Sequence, residues 1–315
     1  AYEAIVFGRG KTVDSAEEAI DQAYQKGRVD EYIKPTVILE NGNPVATIEK
    51  NDSIIFFNLR SDRARQFSKL FVANNKSSVI ADDMPIVDKI KNLYFAALTD
   101  FGPDLDVHTV CESQAVSTTL PMVLSDVRQL YIAESEKYAH VTYFLNGGYA
   151  DPVNGEERMM VPSPKIDSYA KIPQMSAHHI KEKVVDSLEG NLFDFYAINF
   201  ANADMVGHTG DMKATIKAIE FVDEQIKEIA QEVMKRGGNL IITADHGNAE
   251  KMFDEKENQP YTFHTKNPVP FLLVGEKFKG KKISSGGILG NIAPTILDIF
   301  GIDRPEAMDK NSLLI

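Results

Sequence analysis

The sequence predicts an α/β protein built on a doubly wound parallel sheet, and two observations support this fold class. From about residue 120 onward, short apolar runs of strand length alternate with longer segments of helical periodicity. One such run, 240–242, is short and fully apolar, which is typical of a central parallel strand. At 315 residues the chain has the length of two domains, and a polar stretch near Cys111 suggests the boundaries 1–111 and 112–315.

The bulk composition excludes several classes of function. A net charge of −12 argues against general binding of nucleic acid or of anionic membranes, so an anionic substrate needs locally placed cations. The single cysteine excludes an internal disulfide and suits a reducing compartment. No apolar run reaches transmembrane length, and the N-terminus lacks a signal-peptide pattern. We therefore expect a soluble, cytoplasmic protein.

The first domain begins with a helix and a hairpin. Ser15 and Glu18 form a capping box, which predicts a helix that ends near Gly27. The segment Asn41-Gly42-Asn43 is a turn signal, which predicts a hairpin between strands 35–39 and 45–48.

A cluster of arginines follows the next predicted strand, 53–59, at the start of a predicted helix over 63–71. Arg60, Arg63 and Arg65 could form an anion clamp, since a guanidinium fork matches phosphate or carboxylate. A solvated basic start of a helix explains these residues equally well. A further core strand is predicted over 93–98.

The second domain supplies the alternation of strands and helices. The predicted strands are 128–133, 140–145, 193–200, 240–242 and 269–274. The predicted helices are 176–188 with Ser176 as a cap, 212–236 and 288–300 with Gly301 as its stop. Three prolines predict a loop over 151–169. The apolar residues of the second helix have helical spacing and are assigned to the core; they are Ile216, Ile219, Val222, Ile226, Ile229 and Val233.

Metal-type ligands stand beside three of these strands. Asp245 and His246 follow one strand directly, Asp204 and His208 follow another, and His264 precedes a third. Active sites of open α/β sheets lie at the carboxyl ends of the strands. Asp204 and His208 are four positions apart, so one helical turn or a compact loop would let both face one ion. For Asp245 and His246 alone, a strand-end turn with a capping Asp is the alternative.

Carboxylate and imidazole together suit Mn²⁺ or Zn²⁺ better than Mg²⁺, which prefers oxygen. These five side chains are enough for two partly filled metal sites. Two-metal sites are typical of phosphoryl transfer, because the ions activate a nucleophile and neutralise the phosphate.

Five segments of the chain resemble the cofactor-independent phosphoglycerate mutases of the alkaline phosphatase superfamily. Segments 202–210, 243–250 and 264–270 look like the metal motifs of that family. Segment 56–64 resembles its substrate-arginine motif, and 134–144 resembles a segment with an active-site lysine. The resemblance covers essentially all 315 residues. It implies an alkaline-phosphatase-like doubly wound sheet domain, 112–315, and a partial α/β transferase domain, 1–111.

The resemblance also implies a role for each motif residue. Asp204, His208 and His264 would hold one Mn²⁺, and Asp245 and His246 would hold part of a second site.

The remaining implied roles concern the substrate. Lys137 would be catalytic, binding substrate and stabilising charge on the transferring phosphoryl group. The local sequence alone, without the resemblance, indicates a solvated lysine that follows a strand. Arg60 and Arg63 would bind phosphoglycerate, whereas Arg65 has no counterpart and is expected to be a surface charge of the helix.

The implied activity is that of an isomerase of glycolysis and gluconeogenesis. It interconverts 3-phosphoglycerate and 2-phosphoglycerate through a phosphoserine, without 2,3-bisphosphoglycerate. Family members are longer at the N-terminus, where they carry the nucleophilic Ser and a further Asp ligand. The resemblance therefore implies an N-terminally truncated chain, with one metal site incomplete and negligible activity by itself. A monomer when full length, with neither nucleic-acid nor membrane partners, is expected.

Two other functions are compatible with the metal residues. The first is another superfamily metalloenzyme, such as a phosphopentomutase, a phosphatase or a sulfatase. The motif with Arg60 and Arg63 favours the mutase over these enzymes. The second is a non-catalytic fragment that binds metal or a partner.

Overall fold

The computed structural model describes residues 1–28, 30–59, 61–72, 90–101, 105, 107–112, 116, 118–149 and 151–315, without the side chains of residues 31 and 61–63. The chain divides into two compact units, Ala1–Gln114 and Ala115–Ile315. Within the described residues, no helix combines the length and the apolar character that crossing a membrane requires.

Unit 1 contains two small sheets and three helices within its described residues. Its elements are α1 (Tyr2–Phe7), β1 (Lys11–Val13), α2 (Ala16–Tyr24), β2 (Thr36–Glu40), β3 (Asn43–Pro44), β4 (Ser53–Phe56), α3 (Ser61–Val72), β5 (Tyr94–Thr99) and β6 (His108–Cys111). One sheet has the order β1-β2-β3, with β1 parallel and β3 antiparallel to β2. The other has the order β4-β5-β6 and is parallel throughout.

The local signals of unit 1 act as predicted, but two strands are shorter than expected. Ser15 Oγ accepts the N–H of Glu18 at 3.1 Å and begins α2. Asn41 and Gly42 have φ of 52° and 80°, which makes the predicted hairpin turn. The second hairpin strand ends at Pro44, and the N–H of Ile48 donates to Ile5 of α1 at 3.1 Å. Strand β4 ends at Phe56, because the chain bends where Asn58 N donates back to Phe56 O.

The core of unit 1 is aromatic. Rings from β4, α3, β5 and the loop after β5 pack edge to face or tilted at centroid separations of 5.2–6.0 Å; they are Phe56, Phe67, Phe71, Phe95 and Phe101. Such pairs add to the large apolar area that each ring buries. Helix α3 is thereby fixed against the parallel sheet.

Unit 2 carries the larger set of elements. They are α4 (Leu120–Val123), β7 (Gln129–Glu134), a π-helix (His140–Phe144), β8 (Glu156–Val161), α5 (Ala177–Glu189), β9 (Phe195–Asn199), α6 (Asn202–Gly207), α7 (Met212–Lys235), β10 (Leu240–Thr243), β11 (Phe253–Asp254), β12 (Gln259–Pro260), β13 (Phe271–Val274) and α8 (Ile292–Phe300). Gly301, with φ of 71°, ends α8 as predicted.

The parallel sheet of unit 2 has the order β8-β7-β9, with β7 buried along its whole length. On one face, Ile132 of β7 packs with Ile180 of α5 and Ile229 of α7. On the other face, Tyr131 of β7 packs with Val141 of the π-helix. Helical segments therefore cover both faces, which confirms the predicted α/β class.

Strand β10 does not pair as predicted. It was expected to be a central parallel strand, but Leu240–Thr243 pairs antiparallel with Phe271–Val274, and its apolar residues are half-buried. Parallel neighbours need a crossover connection, usually a helix. Residues 244–270 contain no helix, only the short β11-β12 hairpin, so the chain returns antiparallel.

The predicted strand 140–145 is wrong. The segment forms the π-helix His140–Phe144, in which Thr142 Oγ1 donates to Tyr138 O at 2.7 Å. Adjacent residues Val141 and Thr142 are both buried, so the burial does not alternate as it does in a strand with one solvated face. The apolar run lies against β7 as a helical turn.

The predicted loop 151–169 is also wrong in part, because it contains β8. The strand begins after a turn at Asn154 and Gly155, which have φ of 46° and 70°. Its first residues are charged, which obscures the strand pattern. Glu156 is nevertheless buried, since Asn146 Nδ2 donates to both carboxylate oxygens at 2.9 and 3.0 Å and Arg158 pairs with it.

The core assignment of α7 holds only in its second half. Ile229 is buried, whereas Ile216 and Ile219 are 50% and 43% exposed. In the first half the buried face is formed by small residues, with Ala214 and Ala218 packed near Val206 of α6. The close approach of α6 selects small side chains there, which apolar periodicity does not detect.

Candidate metal centre

Helix α6 brings Asp204 and His208 together directly after strand β9. His208 Nε2 lies 3.0 Å from Asp204 Oδ1, as expected for side chains one helical turn apart. His264 reaches the same point from the loop that precedes β13. Its Nε2 lies 3.1 Å from Asp204 Oδ1 and 3.1 Å from His208 Nε2. One ligand atom from each of the three residues lies within 4.8 Å of the others.

The hydrogen bond of His208 sets its tautomer. Nδ1 of His208 lies 2.7 Å from the carbonyl oxygen of Thr262, and a carbonyl only accepts, so Nδ1 carries the proton. Nε2 then faces Asp204 and His264. A carbonyl that fixes the ring in this way is typical of metal-binding histidines. The three facing ligand atoms are two imidazole nitrogens and a carboxylate oxygen, a donor set that fits a divalent metal ion.

The imidazole of His264 is held in its neutral form. Burial lowers the pKa of His264, and the neighbouring His246 ring lowers it further. Neutral imidazole is the form that binds metals.

A buried lysine accompanies the cluster. Lys137 is only 4% exposed, and its ammonium forms an ion pair with Asp204 Oδ2. Burial alone would raise the pKa of Asp204, but the His208 hydrogen bond and the Lys137 ammonium hold it far below its usual range. The carboxylate is therefore ionised, and Lys137 is not the solvated lysine that the local sequence alone indicates.

Asp245 and His246 lie beside this cluster, after strand β10. The His246 ring stacks on His264 with 3.7 Å between centroids. His246 Nε2 lies 3.6 Å from Asp245 Oδ2 and 3.9 Å from Asp204 Oδ1, while the Asp245 side chain is 57% exposed. All five side chains predicted as metal ligands thus gather at one place, and Asp245 is the most exposed of them.

Sequence reasoning missed the residues that support the triad. Asn248 is buried, and its Nδ2 donates to Asp204 Oδ1 at 3.0 Å. A Cβ at Gly207 would overlap Asn248 Oδ1, so the close approach of α6 requires glycine there. Both residues lie inside the quoted metal motifs, 243–250 and 202–210. Their place in these motifs was the sequence signal that could have identified them.

The predicted substrate arginines belong to unit 1. Arg60 lies outside the described residues, and only the backbone of Arg63 is described, within α3. Arg65 was expected to be a surface charge, which is wrong. Its Nη1 donates to the carbonyl oxygen of Phe101 at 2.7 Å and so joins α3 to the segment after β5.

Two family models match the chain. Residues 66–304 match the metalloenzyme superfamily, and residues 1–103 match the BPG-independent PGAM N-terminus.

The chain is also similar to curated proteins and to a solved structure. It is 45% identical over 317 residues to the 2,3-bisphosphoglycerate-independent phosphoglycerate mutase of Clostridioides difficile (strain 630), covering 100% of this chain and 61% of the relative. The corresponding enzyme of Thermomicrobium roseum is 42% identical over 321 residues, with 100% and 60% covered. A crystal structure of Leishmania mexicana phosphoglycerate mutase at low cobalt concentration matches with a TM-score of 0.88 and 28% identity, covering 100% of this chain and 60% of that one. The chain spans 60–61% of the length of these proteins.

Proposed function

The chain belongs to the metalloenzyme superfamily and, within it, to the 2,3-bisphosphoglycerate-independent phosphoglycerate mutases, and we propose that its protein interconverts 3-phosphoglycerate and 2-phosphoglycerate. The observation that carries the proposal is the convergence of Asp204, His208 and His264 beside the buried ammonium of Lys137. This arrangement suits the transfer of an anionic phosphoryl group in a protein whose net charge is −12.

The proposed metal site consists of a triad and a pair of ligands. Asp204, His208 and His264 would hold one divalent cation, and Asp245 and His246 would contribute to a second. We propose Mn²⁺, because carboxylate and imidazole together suit that ion. When bound, such ions polarise phosphoryl oxygens and neutralise their charge.

The proposed role of Lys137 follows from its position. The ammonium is held at the cluster by Asp204 and is removed from solvent, so its charge is weakly screened. During phosphoryl transfer, negative charge spreads over the equatorial oxygens. The ammonium has three donors, of which one points to Asp204, so the others can meet those oxygens without prior reorganisation.

Arg60 and Arg63 complete the proposal as substrate-binding residues. The support is their place in a motif that resembles the substrate-arginine motif of the family. Guanidinium groups bind carboxylate and phosphate in bidentate fashion. We also propose that the protein is cytoplasmic and, when full length, monomeric.

The test is an assay of the protein in the full length that its gene encodes. With Mn²⁺ and without 2,3-bisphosphoglycerate, we expect 2-phosphoglycerate to form from 3-phosphoglycerate. Its formation is measured by coupling the reaction to enolase. Absence of turnover under these conditions would overturn the proposal. The same assay tests the prediction that the 315-residue chain alone has negligible activity. Turnover by that chain would contradict the prediction.

The other superfamily activities are less well supported than the mutase. The two relatives, which are 45% and 42% identical to this chain and align with all of it, are phosphoglycerate mutases. Parallel assays with a phosphopentose and with a generic phosphomonoester test the alternatives directly.

A further inference from the structure

A carboxylate outside the predicted ligand set lies between two of the loops that carry ligands. Glu250 follows Asp245 and His246 in the loop after β10. Its Oε2 accepts the N–H of Asn248 at 2.7 Å. Its Oε1 accepts Asn267 Nδ2 at 2.9 Å and also the hydroxyl of Thr265. One side chain thus bonds to its own loop and to the loop of His264.

The partners of Glu250 are all donors. Thr265 Oγ1 already accepts the N–H of Asn267 at 3.2 Å, so its proton points to Glu250. The other two partners are an N–H and an amide NH₂, which only donate. A carboxylate accepts on both oxygens, whereas a carboxamide accepts on one. Partial desolvation by the two loops opposes ionisation, but the Thr265 hydroxyl and the surrounding N–H groups lower the pKa of Glu250 below its usual value.

Two of the contacts of Glu250, with Thr265 and with Asn248, lead to metal-site residues. Thr265 is adjacent to His264, and its N–H donates to the carbonyl of Gly247 at 2.8 Å. Asn248, held through its backbone, donates its side-chain amide to Asp204 at 3.0 Å. The three ligand-bearing segments are therefore connected through Glu250.

Gly247 shows how closely these loops approach. A Cβ at Gly247 would overlap both Thr265 Oγ1 and Glu250 Oε1. The absence of a side chain therefore lets the Glu250 carboxylate and the Thr265 hydroxyl meet beside His246.

We propose that Glu250 is a positioning residue for the metal site, holding the loop of Asp245 and His246 against the loop of His264 and, through Asn248, orienting Asp204. The inference rests on the proposed metal site and deepens it. Outer-shell partners of metal ligands commonly contribute 10- to 100-fold to affinity. Glu250 itself contacts neither metal nor substrate in this proposal.

The experiment measures Mn²⁺ binding to the full chain by the electron paramagnetic resonance signal of free Mn²⁺. For Glu250→Gln we expect affinity about 10- to 100-fold weaker. The melting temperature without metal should remain near that of the parent protein, because the side chain is exposed at the surface. A lower metal-free melting temperature with unchanged affinity would show a merely structural role and overturn the inference.

Asp254→Asn is the matched control. Asp254 is a carboxylate of the same loop region whose described contacts are with Lys251, Lys256 and Glu257. This variant should bind Mn²⁺ like the parent, and a loss equal to that of Glu250→Gln would overturn the positioning role.

Asp204→Ala separates the two levels of the proposal. If the parent protein binds no Mn²⁺, or if Asp204→Ala still binds it, the metal site itself is refuted together with the inference. If the parent binds, Asp204→Ala does not, and Glu250→Gln binds as tightly as the parent, only the inference fails.

Thr265→Val covers the case in which Glu250→Gln does not fold. Valine keeps the shape of Thr265 and removes the hydroxyl that donates to Glu250. We expect weaker Mn²⁺ binding, and unchanged affinity would overturn the inference. In the double variant the two losses should be less than additive, because both act on one hydrogen-bonded unit.

Discussion

Two buried carboxylates near the ends of neighbouring parallel strands have opposite electrostatics. Glu134 is the last residue of β7 and is fully buried. Burial raises its pKa, and the N–H of Ser176, which donates at 2.8 Å, offsets this only in part. Asp204 follows the adjacent strand β9, and its pKa is held far below the usual range despite burial.

The difference comes from the neighbours of each carboxylate and not from its depth. Asp204 has the Lys137 ammonium and the His208 imidazole beside it. Glu134 has two neutral donors, the N–H of Ser176 and the hydroxyl of Ser163, and the opposing charges of Glu136 and His179. Opposite shifts of neighbouring carboxylates often mark different roles in one site. Here they locate the fixed negative charge at Asp204.

The largest expected effect follows from removing that charge. Asp204→Ala leaves the Lys137 ammonium buried and unpaired, and breaking a buried pair in this way costs about 3–5 kcal/mol. The free energy of unfolding of the metal-free chain, measured with urea, should fall by an amount of that order. Mn²⁺ should no longer raise the melting temperature.

Asp245→Ala is the control for this effect. The Asp245 side chain is 57% exposed, so the metal-free stability should stay unchanged, and one Mn²⁺ should still bind. If both variants lose the same stability, the assignment of the buried charge to Asp204 is wrong.

The next effect concerns the cation of the pair. Lys137→Met keeps an apolar stem but leaves the Asp204 carboxylate without its ammonium, while Asn248 and His208 still contact it. The metal-free chain should lose about 2 kcal/mol, less than with Asp204→Ala because these partners remain. Mn²⁺ should restore stability and raise the melting temperature more than it does in the parent protein.

Activity gives a second measurement on Lys137. In the full-length protein, Lys137→Met should lower kcat for phosphoglycerate interconversion by about 10²- to 10³-fold, as expected for loss of one electrostatic stabiliser. An unchanged kcat would contradict the role of the ammonium in phosphoryl transfer.

The sequence predicted those parts of the site that depend on local spacing. Asp204 and His208 meet because a single helical turn joins them, and Asp245 and His246 follow a strand whose apolar run is evident. The sequence could not predict that Lys137 is buried against Asp204. That contact forms between the end of β7 and the helix after β9, which are far apart in the chain.

The errors in the fold have the same origin. Glu156 begins β8 although it is charged, because Asn146, which precedes the strand, and Arg158 of the same strand compensate its burial. The π-helix His140–Phe144 has apolar residues that fit a strand equally well, and packing on Tyr131 decides between the two. Tertiary contacts determine the secondary structure of these segments, and local periodicity does not contain information about those contacts.

The smallest expected effect tests the other carboxylate. The pKa of Glu134 is raised in the folded state, so its contribution to stability is fully present below the unfolded pKa of about 4.3 and is lost as pH rises through the folded value. The urea midpoint of the parent protein should therefore contain a component that declines as pH rises above the unfolded pKa.

Glu134→Gln removes the titrating group while its amide oxygen can still accept the N–H of Ser176. The declining component should disappear, so the stability of the variant relative to the parent protein should increase as pH rises. Ser163→Ala removes a hydroxyl that hydrogen-bonds to Glu134 and lowers its pKa, but leaves the carboxyl in place, so this variant should keep a decline of the same sign. If Glu134→Gln retains the full pH dependence, the pKa of Glu134 is not raised, and the contrast with Asp204 does not hold.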